Sequence, residues 1–294
     1  MRGVVIQNAT VDLYDCNITG AYTEASAGGG LAVVSGIANV YGGEISRNTA
    51  TTGAGILADK AGTANAYDVT ISNNTGLATG GHTIYGYGNS KLNIYAGEIS
   101  NNMGTDGTYS GVFYEIGGLY TISGDLITNG NDVDVYLASG NSQYLAYKDN
   151  KTWTVPATAI VLTSPLQDEL TFFSRQSDAD ITRRTLLEGT QDYQLTDDDL
   201  ARVKMYLAVN GADEFTDITN NEKYITLLLD NRIEVFKKVT ITYHANYEGN
   251  ENTVSQYTGY GAKTVLNSNS FQRDGYIFVG WNTESDGSGT AYNN

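Results

Sequence analysis

Two glutamates occupy the same place in a phrase the chain writes twice. Glu44 lies in V-Y-G-G-E-I-S-R-N (40–48) and Glu98 in I-Y-A-G-E-I-S-N-N (94–102). If the phrases stack with one unit between them, the carboxylates stand roughly 9.6 Å apart at the usual strand spacing. That separation suits an inverting glycosidase, where one carboxyl protonates the leaving group and the other activates a water. The intervening unit carries Thr70, however, and repeat equivalence alone accounts for both glutamates. A lyase would need a Ca²⁺ cage with an Arg or Lys base. The basic residues of this region are Arg2, Arg47, Lys60 and Lys91, and they are scattered. Asp132 and Asp134 alternate along one run and could hold Ca²⁺ with Asn129 or Asn131, but two carboxylates are too few for an oxygen cage. His82 and His244 are far apart without ligand-like company, and Cys16 is the single cysteine, so no His/Cys metal site and no intrachain disulfide are expected. No catalytic residue, metal or cofactor is assigned.

A second set of residues suits binding rather than chemistry. Tyr14, Tyr41, Tyr67 and Tyr95 recur in phase, each directly after an apolar residue (Leu13, Val40, Ala66, Ile94), and the series ends at Ser123. If the apolar residues point inward along strands, alternation turns the tyrosines outward. A column of rings offers area with a hydroxyl at its edge, and both sugars and proteins pack on such strips. The same column would also cover the fold and support strand pairing.

Positioning these residues requires a repeat. Ile18, Ile45, Ile71, Ile99 and Ile127 are separated by 27, 26, 28 and 28 residues, and Leu13, Val40, Ala66, Ile94 and Ile122 keep the same intervals. Between them fall Leu31-Ala32-Val33, Ile56-Leu57-Ala58, Thr83-Ile84-Tyr85, Val112-Phe113-Tyr114 and Val133-Asp134-Val135. Each unit of about 27 residues thus carries three short apolar runs, punctuated by Gly, Asn, Ser and Thr. Leu92 and Ile94 share one face, and Ile99 points the same way. Strands this short bury a face only by stacking unit on unit. Asn48, Asn74 and Asn102 are expected to stack as an amide ladder, and Asn73, Asn101 and Asn129 likewise. Cys16 reads as an ordinary repeat position, equivalent to Glu44, Thr70 and Glu98.

The bulk composition agrees with stacked strands. The chain has 34 glycines, two prolines and only 17 % charged residues in 294, so its exposed faces are built from Thr, Ser, Asn and Tyr. The formal charge of −16 argues against nucleic acid and anionic membrane surfaces as partners. No run approaches 18 consecutive apolar residues, so no membrane insertion is expected. Met1-Arg2-Gly3 leads directly into the repeat without a signal-peptide pattern, as in a fragment that begins mid-unit.

The repeat occupies residues 1–140. From 141 to 238 the period fades and charge rises, as expected of irregular final coils and a cap that covers the last strand edges. Runs at 159–166, 170–173 and 184–188 read as strands. T-D-D-D-L-A-R-V-K-M-Y-L (196–207) reads as a short helix with Thr196 as N-cap and Asp199 completing a near capping box. Tyr224–Phe236 reads as a hairpin turning on Asp230-Asn231.

The motifs Gly42-Gly43-Glu44-Ile45-Ser46-Arg47-Asn48 and Ala96-Gly97-Glu98-Ile99-Ser100-Asn101-Asn102 resemble the Gly/Asn-rich coils of right-handed parallel β-helices in bacterial adhesin-like surface proteins. Residues 239–294 resemble the Listeria–Bacteroides, or internalin B-repeat, module through Asn246, Arg273, Asp274, Gly275, Tyr276, Phe278, Gly280, Trp281 and Gly287. That resemblance implies a small β-grasp-like unit in which Tyr276, Phe278 and Trp281 form core. The family closes with another strand beyond Tyr292-Asn293-Asn294, which implies a truncated module here. The fold expected is therefore all-β: a parallel β-helix with three strands per coil, an irregular cap with one short helix, and the repeat module. Together the resemblances imply an extracellular setting at the bacterial cell surface or wall. With no residues gathered for chemistry, the expected function is that of a non-catalytic, monomeric adhesin-like stalk or binding region, with Tyr14, Tyr41, Tyr67 and Tyr95 as the candidate surface for a glycan or host protein. The rival readings are a carbohydrate-active β-helix enzyme and a spacer without ligand.

Overall fold

The computed structural model describes residues 1–77, 81–87, 89–104, 111–115, 118–131, 133–137, 144–146, 152–154, 158–174, 181–209 and 214–292. Most of these residues build a β-solenoid of stacked parallel coils. One sheet runs through Val4–Gln7, Leu31–Val34, Ile56–Asp59, Ile84–Gly86, Gly111–Glu115, Val133–Leu137, Leu170–Ser174 and Val203–Val209, all parallel, and Glu214–Asp217 closes it antiparallel. The facing sheet stacks Thr10–Tyr14, Ile37–Tyr41, Thr63–Ser72, Ser90–Ser100, Gly118–Ile122, Thr158–Leu162 and Arg183–Glu188. Its lateral branch carries Asn17–Thr19 and Glu44–Ser46 beside the later halves of the long strands. A narrow third sheet pairs Thr49–Ala50, Thr75–Gly76 and Met103–Gly104.

The apolar columns set the register. Leu13, Val40, Ala66, Ile94 and Ile122 are direct partners from coil to coil. Ile18, Ile45, Ile71 and Ile99 form the second column, buried in the core. Each fully buried isoleucine contributes about 1.5–3 kcal/mol. The fifth member departs from expectation. Ile99 pairs with Thr128, Ile127 pairs with Glu98 and is 46 % exposed, and Leu126 enters the core instead. One extra residue in this unit moves Ile127 to the other face of the strand.

The same shift corrects the second asparagine row. Asn129 pairs with Ser100, and Gly130 stands over Asn101. Asn73 and Asn101 are not an amide ladder: with Gly20, Arg47 and Gly130 they hold positive φ at the bend before the buried asparagine. Asparagine tolerates that region better than most residues. Cys16 also moves by one place. Asn17 pairs with Glu44, so Cys16 lies level with Gly43 and not with Glu44. Gly43 has φ of +81°, and a Cβ there would meet the Cys16 carbonyl oxygen at 2.3 Å, so the close approach of the two coils requires glycine.

Beyond the regular units, Thr196 caps the helix Asp197–Arg202, and its hydroxyl accepts from the Asp199 N–H while the Asp199 carboxylate accepts from the Thr196 N–H. The helix is shorter than its sequence pattern suggests. Val203, Met205 and Leu207 alternate into the core and pair as strand with Leu170–Ser174, because burial on a period of two outweighs helix propensity. Asp230 and Asn231 both have positive φ at the tip of the hairpin Tyr224–Leu229/Arg232–His244, as a type I′ turn requires.

Arg232–His244 is one continuous strand of 13 residues. Its first part pairs with Arg183–Glu188 and Tyr224–Leu229, and its last part with Thr253–Gly259. It therefore leads from the cap into the terminal module, which also holds the small pair Trp281–Asn282 and Ala291–Tyr292. Phe278 and Trp281 pack together, but Tyr276 does not join the core. It is 66 % exposed and lies under the Arg273 guanidinium at 3.7 Å, a contact that keeps its ring at the surface.

Candidate functional site

The outward face of Thr10–Tyr14, Ile37–Tyr41, Thr63–Ser72 and Ser90–Ser100 carries the tyrosines that the sequence singles out. Register places Tyr14, Tyr41, Tyr67 and Tyr95 directly over one another. Their ring centroids are 5.0, 5.0 and 5.2 Å apart with interplanar angles of 13°, 9° and 18°. The rings are thus stacked face to face along the solenoid axis. Tyr14, in the first coil described, is 65 % exposed, and the other three are half-buried.

This orientation decides what the strip offers a ligand. Each internal ring uses both faces on its neighbours. Solvent therefore meets ring edges and hydroxyls, and the only outer ring face is at the ends of the stack. Burial among the rings raises the Tyr41 hydroxyl pKa above its ordinary value, and the Asp12 carboxylate and the flanking tyrosines add to the rise. Burial and Tyr67 raise Tyr95 in the same way.

Two residues before each tyrosine lies a polar row that the sequence reading missed. Asn93 Nδ2 donates to Asn65 Oδ1, Asn65 to Asn39, and Asn39 to the Asp12 carboxylate, each at 2.7 Å. The signal was present, since Asp12, Asn39, Asn65 and Asn93 keep the tyrosine intervals. Each coil from the first to the fourth thus shows one tyrosine edge and one amide or carboxylate side by side. Inside the solenoid a different ladder stands: Asn48, Asn74 and Asn102 each donate to the Oδ1 of the next member at 3.0–3.1 Å, and the series ends on Asn131, which donates to the Ile99 carbonyl.

The candidate acidic groups are arranged otherwise. Glu44 and Glu98 lie on either side of Thr70, as the repeat requires. Glu44 is 3.7 Å from Arg47. Asp132 lies outside the described residues. Asp134 is buried, and its carboxylate accepts from the Thr171 N–H and hydroxyl at 3.1 and 2.7 Å. Burial nonetheless raises its pKa above the usual carboxylate range. Among the described residues no group of three His, Cys, Asp or Glu is placed to hold a metal ion. His82 is buried and packs against Tyr85, while His244 lies at the end of the long strand.

No helix among the described residues is long and apolar enough to cross a membrane. The chain matches no curated protein and no solved structure. Residues 240–294 match the family model of the Listeria-Bacteroides repeat domain, a repeat that occurs in bacterial surface proteins. The chain therefore joins a β-solenoid to one Listeria-Bacteroides repeat domain.

Proposed function

We propose that this chain is a non-catalytic, adhesin-like protein of the bacterial cell surface or wall, which acts as a monomer and binds a glycan or host protein along one face of its solenoid. The observation that carries the reading is the unbroken Tyr14–Tyr41–Tyr67–Tyr95 stack beside the Asp12–Asn39–Asn65–Asn93 row. The face repeats hydroxyls and amides at one interval of about 5 Å, close to the strand spacing. Edge-on rings favour a partner rich in hydroxyls and amides over an apolar one, so a glycan is the preferred class. The repeat domain supports a surface setting. The non-catalytic reading draws on Glu44 and Asp134, whose carboxylates are engaged by Arg47 and Thr171.

The test is a screen of the full chain against a glycan array and host surface proteins, beside a Tyr41→Ala/Tyr67→Ala/Tyr95→Ala variant. Binding that disappears in the variant, with circular dichroism unchanged, supports the face as the working surface. Binding by neither protein leaves the spacer reading, in which the rings only cover the strands.

A further inference from the structure

The terminal module contains a half-open cleft of about 190 Å³ lined by the apolar and aromatic Tyr243, Val254, Phe271 and Trp281 and by the polar Asn267, Ser268 and Ser270. We propose that this cleft is a binding site for a single neutral pyranose residue, such as the end of a glycan chain. It is separate from the tyrosine face and does not depend on it.

The cleft has a fixed apolar wall. The Trp281 ring lies 4.5 Å from Tyr243 and 4.8 Å from Phe278, and its Nε1 donates to the Asn267 carbonyl oxygen at 3.1 Å. The Tyr243 hydroxyl in turn accepts from the Asn267 N–H at 3.0 Å. Both backbone groups of Asn267 are therefore tied to aromatic residues of the wall. Asn269 stiffens the adjoining turn, with Oδ1 accepting from the Phe271 N–H and Nδ2 donating to the Phe271 carbonyl.

The rim is polar and uncommitted. Among the described residues no partner within the chain engages the side-chain amide of Asn267 or the hydroxyls of Ser268 and Ser270. No lining residue is charged, which disfavours an ionic ligand, since its charge would lose hydration without a counter-charge. An aromatic wall with neutral donors and acceptors beside it matches a sugar, whose C–H face is apolar and whose edge is hydroxylated. The volume equals about six waters at their liquid volume, close to one sugar ring and too small for two.

The full chain labelled with ¹⁵N gives two indole signals, Trp153 and Trp281, which a Trp153→Phe variant assigns. Titration uses methyl β-glucopyranoside, methyl β-galactopyranoside and methyl N-acetyl-β-glucosaminide, with methyl glucuronide as the charged comparison. At least one neutral sugar is expected to shift the Trp281 indole saturably while Trp153 stays in place. Ser270→Ala and Asn267→Asp are each expected to raise the half-saturation concentration about two- to tenfold, the worth of one hydrogen bond. The proposal is overturned if no neutral sugar gives a saturable shift, if the glucuronide shifts the signal equally, or if both rim variants bind unchanged. The Tyr41/Tyr67/Tyr95 variant should keep the response, so failure at one site is distinct from failure at the other.

Discussion

Asn48 and Asn74 meet across one coil step inside the solenoid, with Asn48 Nδ2 3.1 Å from Asn74 Oδ1. The same oxygen accepts from the Asn48 N–H, and Asn74 Nδ2 donates to the Ile45 carbonyl and to Asn102 Oδ1. This inner row donates toward the C-terminal end. The outer row, from Asn93 to Asp12, donates toward the N-terminal end. The two files of amide dipoles therefore oppose one another along the axis. The outer file ends on a carboxylate, whose charge strengthens the last bond.

Asn74→Ala removes a buried amide that serves four groups. Leaving the Asn48 and Asn102 side chains and the Ile45 carbonyl without this partner is expected to cost about 3 kcal/mol or more, since each buried unpaired group costs ~1–3 kcal/mol. Asn73→Ala changes a left-handed bend residue and one local bond to the Ser72 hydroxyl and is expected to cost about 1 kcal/mol. Urea unfolding of both variants gives the comparison. Equal midpoints would remove the ladder as a source of stability.

The tyrosine stack predicts a position effect. Tyr41 and Tyr67 each touch two rings, and Tyr14 touches one. At about 0.5–1.5 kcal/mol per aromatic pair, Tyr41→Leu should lose roughly twice as much stability as Tyr14→Leu. Thermal unfolding followed by circular dichroism measures the two shifts. A larger loss at Tyr14 would mean that stacking is not what these rings contribute.

How far this was legible follows from where the repeat keeps step. Tyr14, Tyr41, Tyr67 and Tyr95 could be placed because their strands hold one register over four coils. The face-to-face orientation of their rings could not, since side-chain rotation does not show in spacing. Asn131 and Leu126 were missed because the fifth unit carries one more residue than its isoleucine interval implies, and alternation then exchanges inside for outside. Asn39, Asn65 and Asn93 were readable by interval but lay under no motif. Val203–Leu207 went to strand because the seven-residue window from Thr196 shows only a helix start, while the register with Leu170–Ser174 exists only in three dimensions. The cleft around Trp281 depends on residues 38 positions apart, Tyr243 and Trp281, which no local pattern joins.

Two buried carboxylates predict opposite pH responses. Asp199 is desolvated, yet hydrogen bonds from Tyr193, Leu166 and Thr196 together hold its pKa below the usual range. A depressed folded pKa gives stability that is present above the unfolded value of about 3.9 and lost as pH falls through the folded one. Asp134 is raised by burial, so its contribution is greatest below the unfolded value and lost as pH rises through the folded one. Asp199→Asn should therefore destabilise the cap at neutral pH and flatten the acid limb of the stability curve. Asp134→Asn should stabilise relative to the parent as pH rises from about 4 toward 7. Denaturant midpoints across that range settle the signs, and the same slope in both variants would contradict the assignment.

The strand Arg232–His244 makes the cap and the repeat domain mechanically continuous. Phe236 is fully buried, and a Cβ on Gly259 would come within 2.4–2.7 Å of three atoms of its side chain. The Tyr260 N–H donates to the Lys237 carbonyl, and Lys238 Nζ donates to the Asn221 carbonyl while lying over the Tyr257 ring. Backbone held in this way cannot enter a protease cleft without local unfolding. Trypsin should therefore spare Lys237 and Lys238 in the native chain, although the Lys237 side chain is exposed. Gly259→Ala should push Phe236 from its site and open both bonds, at a cost of about 1–3 kcal/mol for an overpacked core. Mass spectrometry of brief digests then shows new cleavage at 237–238 in the variant. Equal cleavage in the parent would mean that the domain hangs from a loose joint and that force applied to it does not reach the solenoid along this strand.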